Sequence, residues 1–168
     1  MPLTMHAISV PVFVRALKAL DALLTRGEES AAARGFDPAV LLNSRLAPDM
    51  FPLTRQVQIA SDGAKGGAAR LAGQTPPVFP DTETTFAELH ERIAKTIAWL
   101  EGLDPAAFDG DPDAALVLSL GGQEFSFTRQ SFLFAFVLPN MYFHVSAAYN
   151  ILRHNGVAVG KRDFLGGL

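Results

Sequence analysis

Apolar residues recur at helical spacing in three long segments of the chain. The first segment runs from Met5 to about Arg26, the second from Pro52 to Leu71, and the third from Phe86 to Leu100, where Gly102 ends it. Apolar positions three or four residues apart form one face of an amphipathic helix, so each segment predicts a long helix. Pro11 lies inside the first pattern and either kinks the first turns or marks the true start of the helix.

Capping residues predict where further helices begin. Asp37 reads as the N-cap of a short helix that has Pro38 as its first residue and continues through Arg45. Asp81 or Thr82 is placed to cap the third long helix. A proline-rich connector precedes that cap and is expected at the surface.

The stretch "ALVLSLGGQEFSF" changes to a period of two. A two-residue turn at Gly121-Gly122 would pair Leu118 with Phe125 and Leu116 with Phe127 in a β-hairpin. All four side chains would then share one face. An isolated hairpin is marginally stable, so we expect this face to pack against the helices.

The last helix is predicted from Thr128 to about His154, with Asn155-Gly156 as its C-terminal signal. Between Phe132 and Phe143 it is apolar nearly all round, which indicates a central, buried helix. The tail after Gly156 is expected to be irregular. The elements together predict an all-α, single-domain protein over residues 1–168. Its architecture is a four-helix bundle with a short extra helix and a small hairpin before the last helix, in up-down-down-up or simple up-and-down order.

The second long helix carries unusually small side chains. Gly63, Gly66 and Gly67 each cost roughly 1 kcal/mol relative to alanine in a helix interior. Tertiary contacts must therefore stabilise this helix, and we expect another backbone to approach it closely.

Composition excludes several functional classes. The chain is 49% hydrophobic with thirteen Phe, and its net charge of −3 gives no electrostatic basis for binding nucleic acid or an anionic membrane. The longest apolar run, Phe132 to Pro139, is too short to span a bilayer, and the N-terminus does not resemble a signal peptide. The absence of Cys excludes disulfides, thiolate metal sites and a cysteine nucleophile. We expect a cytoplasmic protein.

Two histidines lie on the last predicted helix, His144 and His154. They are separated by about 80° around the helix axis and ~15 Å along it, so one ion cannot bind both. Ala148 stands where a second ligand beside His144 would be. His154, in the last turn, is favourable to the helix C-terminus. A buried His144 must be hydrogen-bonded, either as an ordinary core residue or as a ligand or acid/base group.

The candidate site is therefore the neighbourhood of His144. Pro139 leaves the carbonyl of Ala135 without its helical donor, and Asn140 and Tyr142 stand nearby in the sequence. These residues could bind such groups or a ligand.

The second long helix offers further polar groups. Arg55, Gln58 and Asp62 share one of its faces. Gln58 and Asp62 either point inward beside His144 or are solvated at the surface. His90 is expected to be exposed, and neither His90 nor His6 has metal-ligand spacing.

Two segments resemble the signatures of a bacterial family. The stretches "LAPDMFPLTRQVQIASD" and "PNMYFHVSAAYNILRHNGVAVGKRDFLG" are similar to those of domain of unknown function 1993, and the likeness extends over nearly the whole chain. That family resembles the DinB/YfiT-like superfamily. The resemblance implies a four-helix bundle in up-down-down-up order, often as a homodimer.

Many members of this superfamily bind a divalent metal through three histidines, one on helix two and a His-x-x-x-His pair on helix four. Only His144 matches a position of that pattern. Ala148 replaces its partner, and helix two has Gln56 or Gln58 in the corresponding region. A lone imidazole holds a transition metal poorly, so we expect a degenerate or absent metal site, with a divalent metal at His144 as the alternative.

The leading hypothesis is a DinB-like homodimer that binds a small molecule between helices, through Asn140, Tyr142, His144, Gln58 and Asp62. One alternative is a metal- or thiol-cofactor-dependent transferase or isomerase in which His144 is the catalytic residue. Another is a structural or interaction protein that forms a homodimer. We expect no nucleic-acid or membrane partner.

Overall fold

The computed structural model describes residues 3–167, and most of them are helical. The helices are α1 (Val10–Arg34), α2 (Ala39–Leu42), α3 (Leu53–Leu71), α4 (Phe86–Glu101), α5 (Arg129–Ser131), α6 (Leu138–His154) and α7 (Lys161–Phe164). A 3-10 turn spans Pro105–Phe108, and a π-helical segment spans Phe132–Val137 between α5 and α6. The strands β1 (Ala115–Leu120) and β2 (Gln123–Thr128) form a two-stranded antiparallel sheet.

Helix α1 begins at Val10, directly before Pro11, and extends further than its apolar pattern indicates. Pro11 occupies the first turn, where its missing amide costs nothing, so it marks the start rather than a kink. The predicted end near Arg26 is wrong, because the helix continues through the polar stretch to Arg34. It ends at Gly35, which adopts the left-handed conformation at φ 70°.

Two other predicted helix boundaries also change, and the tail is not wholly irregular. Helix α2 ends at Leu42 rather than Arg45, although Asp37 does accept a hydrogen bond from the amide of Ala39, at 2.8 Å. The cap of α4 is Thr85, not Asp81 or Thr82, and Glu88 completes a capping box with it. The tail contains the short helix α7.

The predicted hairpin register is confirmed. Leu118 pairs with Phe125 and Leu116 with Phe127 across a turn at Gly121 and Gly122, both with positive φ. Leu118 is buried, and Leu116 and Phe127 pack against the core. Phe125 departs from the expectation, since it is 42% exposed near the outer end of the hairpin.

The core lies between the long helices. Helix α1 packs against α4 and α6, and α3 packs against the same two helices. The largest fully buried side chains of the core are Phe13, Phe86, Phe108, Phe132, Leu17, Leu20, Leu23, Leu24, Leu41, Leu53, Leu71 and Leu89. Burial of these side chains supplies the main driving force for folding.

The last helical segment is buried on one side only. Phe134 and Phe143 are 50% and 57% exposed, so the expectation of a helix buried all round is wrong for the stretch Phe132 to Phe143. By length and composition Arg129–His154 could cross a membrane, and 44% of its most apolar stretch is buried within the protein. Core helices pass the same test, so this is weak evidence for a membrane span.

The π-helical segment ends at Val137, two residues before Pro139. Pro139 is in the first turn of α6, after the hydrogen-bond register has shifted. Ala135, whose carbonyl Pro139 cannot bond, is exposed to solvent, where water can satisfy that carbonyl.

Candidate functional site

His144 lies on the buried face of α6 and is hydrogen-bonded across to α3. Its side chain is held by Gln56, with 2.7 Å between Nδ1 and Oε1. The amide Nε2 of Gln56 donates to the carbonyl of Phe51 at 3.0 Å. Oε1 must therefore accept, and Nδ1 of His144 carries the proton.

The environment keeps this imidazole neutral. Burial lowers the pKa of His144, and the positive charge of nearby Arg55 lowers it further. With Nδ1 protonated, Nε2 holds a lone pair. Within residues 3–167 nothing forms a hydrogen bond with Nε2. This nitrogen of His144 can therefore accept a hydrogen bond or a proton from a ligand.

Gln58 and Asp62 share a face of α3, as the spacing indicated, but their contacts are with α4 and its preceding connector rather than with His144. Gln58 is buried and donates from Nε2 to Glu83 at 2.9 Å. Asp62 accepts from Arg92 at 2.9 Å. The residue beside His144 is Gln56, which the sequence singled out only as occupying the region of a missing ligand.

Arg92 is the buried centre of a network of charged side chains. Its guanidinium bonds to Asp62, Asp81 and Glu83, each at 2.9 Å, and its side chain is only 1% exposed. Its Nε has no partner within residues 3–167. Burial alone would raise the pKa of Glu83, but hydrogen bonds from Arg92 and Gln58 outweigh it and lower that pKa. Burial opposes the charged form of Arg92 as well, yet its carboxylate partners raise its pKa.

The network fastens the proline-rich connector to α3. Arg55 bonds to Asp81, and Lys65 bonds to Asp62 at 2.9 Å. Lys65 also lies over the ring of Phe79, 3.9 Å from its centroid. These contacts explain the polar face of α3 structurally.

A cavity of about 260 Å³ lies between α3, α6 and the hairpin; we call it the interhelical cavity. Its polar wall consists of Arg55, Asp62, Arg70 and Asn140. Its remaining lining residues are Ile59, Gly63, Gly66, Gly67, Leu118, Leu120, Phe132, Phe136 and Val137. Asn140 is one turn before His144, so the cavity adjoins the His144–Gln56 pair without including it.

The remaining candidates lie elsewhere. Tyr142 is 39% exposed, two positions from both Asn140 and His144 and therefore on another side of α6. His90 is half-buried rather than exposed, with Nδ1 2.6 Å from Asp21. His6 packs edge-on against Phe108 and lines a larger groove of about 1020 Å³ along α1. His154 ends α6.

The donor set around His144 does not fit the three-histidine metal site that the family resemblance implies. Ala148 is fully buried where the second histidine would be, and Gln56 contributes an amide already bonded to Nδ1. Residues 3–167 contain no group of three or more His, Cys, Asp or Glu placed to hold an ion. An amide oxygen and one imidazole are a weak pair of ligands for a transition metal.

Comparisons with known proteins agree with this fold. A solved crystal structure of a DinB family member protein from Shewanella denitrificans is 46% identical, with a TM-score of 0.89; the match covers 98% of this chain and 93% of that one. No curated protein matches the chain. The family described as Domain of unknown function (DUF1993) matches residues 5–165. The chain therefore belongs to the DUF1993 family, with a DinB-like fold.

Proposed function

We propose that this protein binds a small molecule in the interhelical cavity, within a four-helix bundle of up-down-down-up order. The observation that carries the proposal is a cavity with both polar and apolar walls beside a neutral, hydrogen-bonded histidine. Small-molecule sites in helical proteins are apolar clefts between helices with a few placed polar groups. A volume of about 260 Å³ is below that of drug-sized sites, so the ligand is small.

Gly63 supports the proposal because close packing does not account for it. Among the described residues, a Cβ placed there would come within 4 Å of Nδ2 of Asn140 alone, at 3.4 Å, and Gly63 lines the cavity. Gly67 is different, since a Cβ there would come 2.5 Å from Val137. Packing explains Gly67, whereas the helix-propensity cost of Gly63 is explained by space kept open for a ligand.

The proposal is tested by filling the cavity. Gly63→Leu should abolish binding of fragments that perturb the NMR signals of cavity residues in the wild-type protein. Ala98→Leu is the matched control, because Ala98 is exposed on α4 and does not line the cavity. Equal fragment binding by Gly63→Leu and wild type would contradict the proposal.

A second candidate function is catalysis with His144 as a base. It is favoured by one observation: Nδ1 is committed to Gln56, while Nε2 has no hydrogen-bond partner among residues 3–167. A neutral imidazole in this state can accept a proton from a bound substrate. We expect diethyl pyrocarbonate to modify His144 near pH 7, and an inert His144 would remove this candidate.

We further propose that the protein is a cytoplasmic homodimer that uses the exposed face of the π-helical segment and α6. Phe134, Tyr142 and Phe143 are 50%, 39% and 57% exposed, and no charged residue occurs between Arg129 and Arg153. Aromatic residues are enriched and charged residues depleted at the cores of protein interfaces. A second copy of the same uncharged face is a suitable partner, because two such faces bury no unpaired charge.

A further inference from the structure

Arg70 is half-buried, and it forms no ion pair with a carboxylate of residues 3–167. It lies in the last turn of α3 and lines the interhelical cavity. Its Nη1 donates to the carbonyl of Gly66 at 3.0 Å. Most donors of this guanidinium are thus free for a ligand.

The other charged groups of the cavity wall are compensated. Arg55 pairs with Asp81, and Asp62 accepts hydrogen bonds from both Lys65 and Arg92. The uncompensated charge at the cavity is therefore the positive charge of Arg70. A partly desolvated positive charge favours an anion over a neutral group and repels a cation.

Gly66 determines where the Arg70 side chain can lie. A Cβ at position 66 would come 2.9 Å from Nη1 of Arg70. The glycine lets the guanidinium fold back along α3 onto the Gly66 carbonyl, at the cavity wall. This contact holds one nitrogen and leaves the rest of the planar group available.

The opposite walls are apolar. Leu118 and Phe132 are buried, Val137 is buried beside Gly67, and Phe136 is packed against the core. A ligand that fills this space needs a short apolar part, because apolar walls are stabilised when they contact apolar groups instead of water. Asn140 adds an amide that can donate or accept at the same wall.

We propose that the interhelical cavity binds a small organic monocarboxylate, with the carboxylate on Arg70 and the apolar body between the hairpin and α6. This inference rests on the proposed function and adds the ligand class. Arginine presents a planar fork of donors that matches the two oxygens of a carboxylate. The small volume limits the rest of the ligand to a short alkyl chain or a single ring.

Matched acid and amide pairs test the inference. Benzoate with benzamide, and hexanoate with hexanamide, share a shape and differ in charge. We expect each acid to bind the wild-type protein about tenfold or more tightly than its amide, measured by NMR titration of cavity residues. Arg70→Gln should reduce that ratio to about one, and Arg70→Lys should restore part of it because it keeps the charge.

Arg153→Gln is the control, because Arg153 is exposed at the far end of α6 and does not line the cavity. It should leave the acid-to-amide ratio unchanged. Unfolding curves of each variant show that loss of binding does not reflect loss of the fold.

The outcomes separate the two claims. Equal binding of acids and amides, or acid binding unaffected by Arg70→Gln, overturns the carboxylate inference and leaves the cavity proposal standing. Acid binding confined to the groove along α1 also overturns it. If neither series perturbs cavity residues, the carboxylate inference fails, and the fragment experiment with Gly63→Leu decides the cavity proposal separately.

Discussion

Gly67 of α3 and Val137 pack so closely that a Cβ on residue 67 would lie 2.5 Å from Cγ1 of the valine. This is the closest approach that a glycine Cβ would make to any neighbour in the part of the chain described. Val137 is the last residue of the π-helical segment, directly before α6. Because glycine has no side chain, α3 and the last helical segment can approach each other this closely at position 67.

Gly67→Ala should destabilise the protein. Overpacking a tight contact typically costs about 1–3 kcal/mol, and the better helix propensity of alanine offsets up to about 1 kcal/mol. We expect a net loss of about 1–2 kcal/mol in the free energy of unfolding, measured by urea denaturation. Adding Val137→Ala should recover part of the effect of Gly67→Ala, since it removes both clashing methyl groups.

Gly63→Ala is the matched control on the same helix. Its new methyl group would touch only the end of the flexible Asn140 side chain, at 3.4 Å. We expect a gain of about 0.5–1 kcal/mol from helix propensity. Equal effects of alanine at positions 63 and 67 would contradict the packing account.

The sequence predicted close packing at the three glycines but could not tell them apart. Helix propensity depends on residue type alone. The structural role of each glycine depends on the residue that a Cβ at its position would contact. Gly67 faces Val137, Gly66 faces Arg70 on its own helix, and Gly63 faces Asn140. Only the fold brings Val137 and Asn140 next to α3, seventy and seventy-seven residues after the glycines that they face.

Arg55→Gln should raise the pKa of His144. Arg55 contributes a positive charge that disfavours a second one on the imidazole, after burial as the larger cause. We expect an NMR titration to show a higher His144 pKa in Arg55→Gln than in the wild type. Arg45→Gln, a loop variant, should leave the His144 pKa unchanged; a similar rise there would contradict the assignment to Arg55.

The same lowered pKa predicts a pH dependence of stability. The unfolded state binds a proton to His144 more readily than the folded state does, so folding is favoured above the unfolded pKa of about 6.5. Stability is lost as pH falls through that value toward the folded pKa. His144→Gln should lack this part of the pH dependence, measured as free energies of unfolding between pH 5 and 8.

Glu83→Gln should remove an acid-sensitive contribution to stability. Hydrogen bonds from Arg92 and Gln58 lower the pKa of Glu83 in the folded protein, so its contribution is present above the unfolded value of about 4.5. It is lost as pH falls through the lower folded pKa. The wild type should therefore lose more stability between pH 6 and 3 than Glu83→Gln, whereas Glu91→Gln, on exposed α4 surface, should follow the wild type.

Phe143→Glu should convert a homodimer into a monomer. Placing a charge at the centre of an apolar interface costs several kcal/mol, whereas Phe143 is 57% exposed in the single chain and contributes little to its fold. Light scattering at micromolar concentration should give the mass of two chains for the wild type and one for the variant. A wild-type monomer would contradict the dimer, and a dimeric Phe143→Glu would place the interface on another face.

Local signals in the sequence were sufficient for most of the fold. The hairpin register follows from Gly121-Gly122 and the alternating leucines, because turn type fixes pairing over a few residues. The cap of α4 was misplaced because Asp81, Thr82, Thr84 and Thr85 are all competent N-caps. Glu88 decides among them, because its amide donates to the hydroxyl of Thr85 at 3.2 Å while its carboxylate accepts from the Thr85 amide at 2.9 Å.

The site depended on contacts that no local pattern encodes. His144 was identified from its place on an apolar helix, but Gln56 lies 88 residues earlier and becomes its partner only when α3 packs on α6. The spacing puts Asp62 on one face of α3 with Arg55 and Gln58, but its partner Arg92 belongs to another helix. Arg70 carries no sequence signal, since its significance is that no carboxylate of residues 3–167 pairs with it.

The central claim is that a small molecule binds between α3, α6 and the hairpin. A crystal structure of the wild-type protein soaked with the tightest-binding carboxylate tests it most directly. We predict electron density in the interhelical cavity, with the carboxylate within hydrogen-bond distance of Arg70 and the apolar body against Leu118 and Phe136. Density only in the groove along α1, with an empty interhelical cavity, would contradict the account.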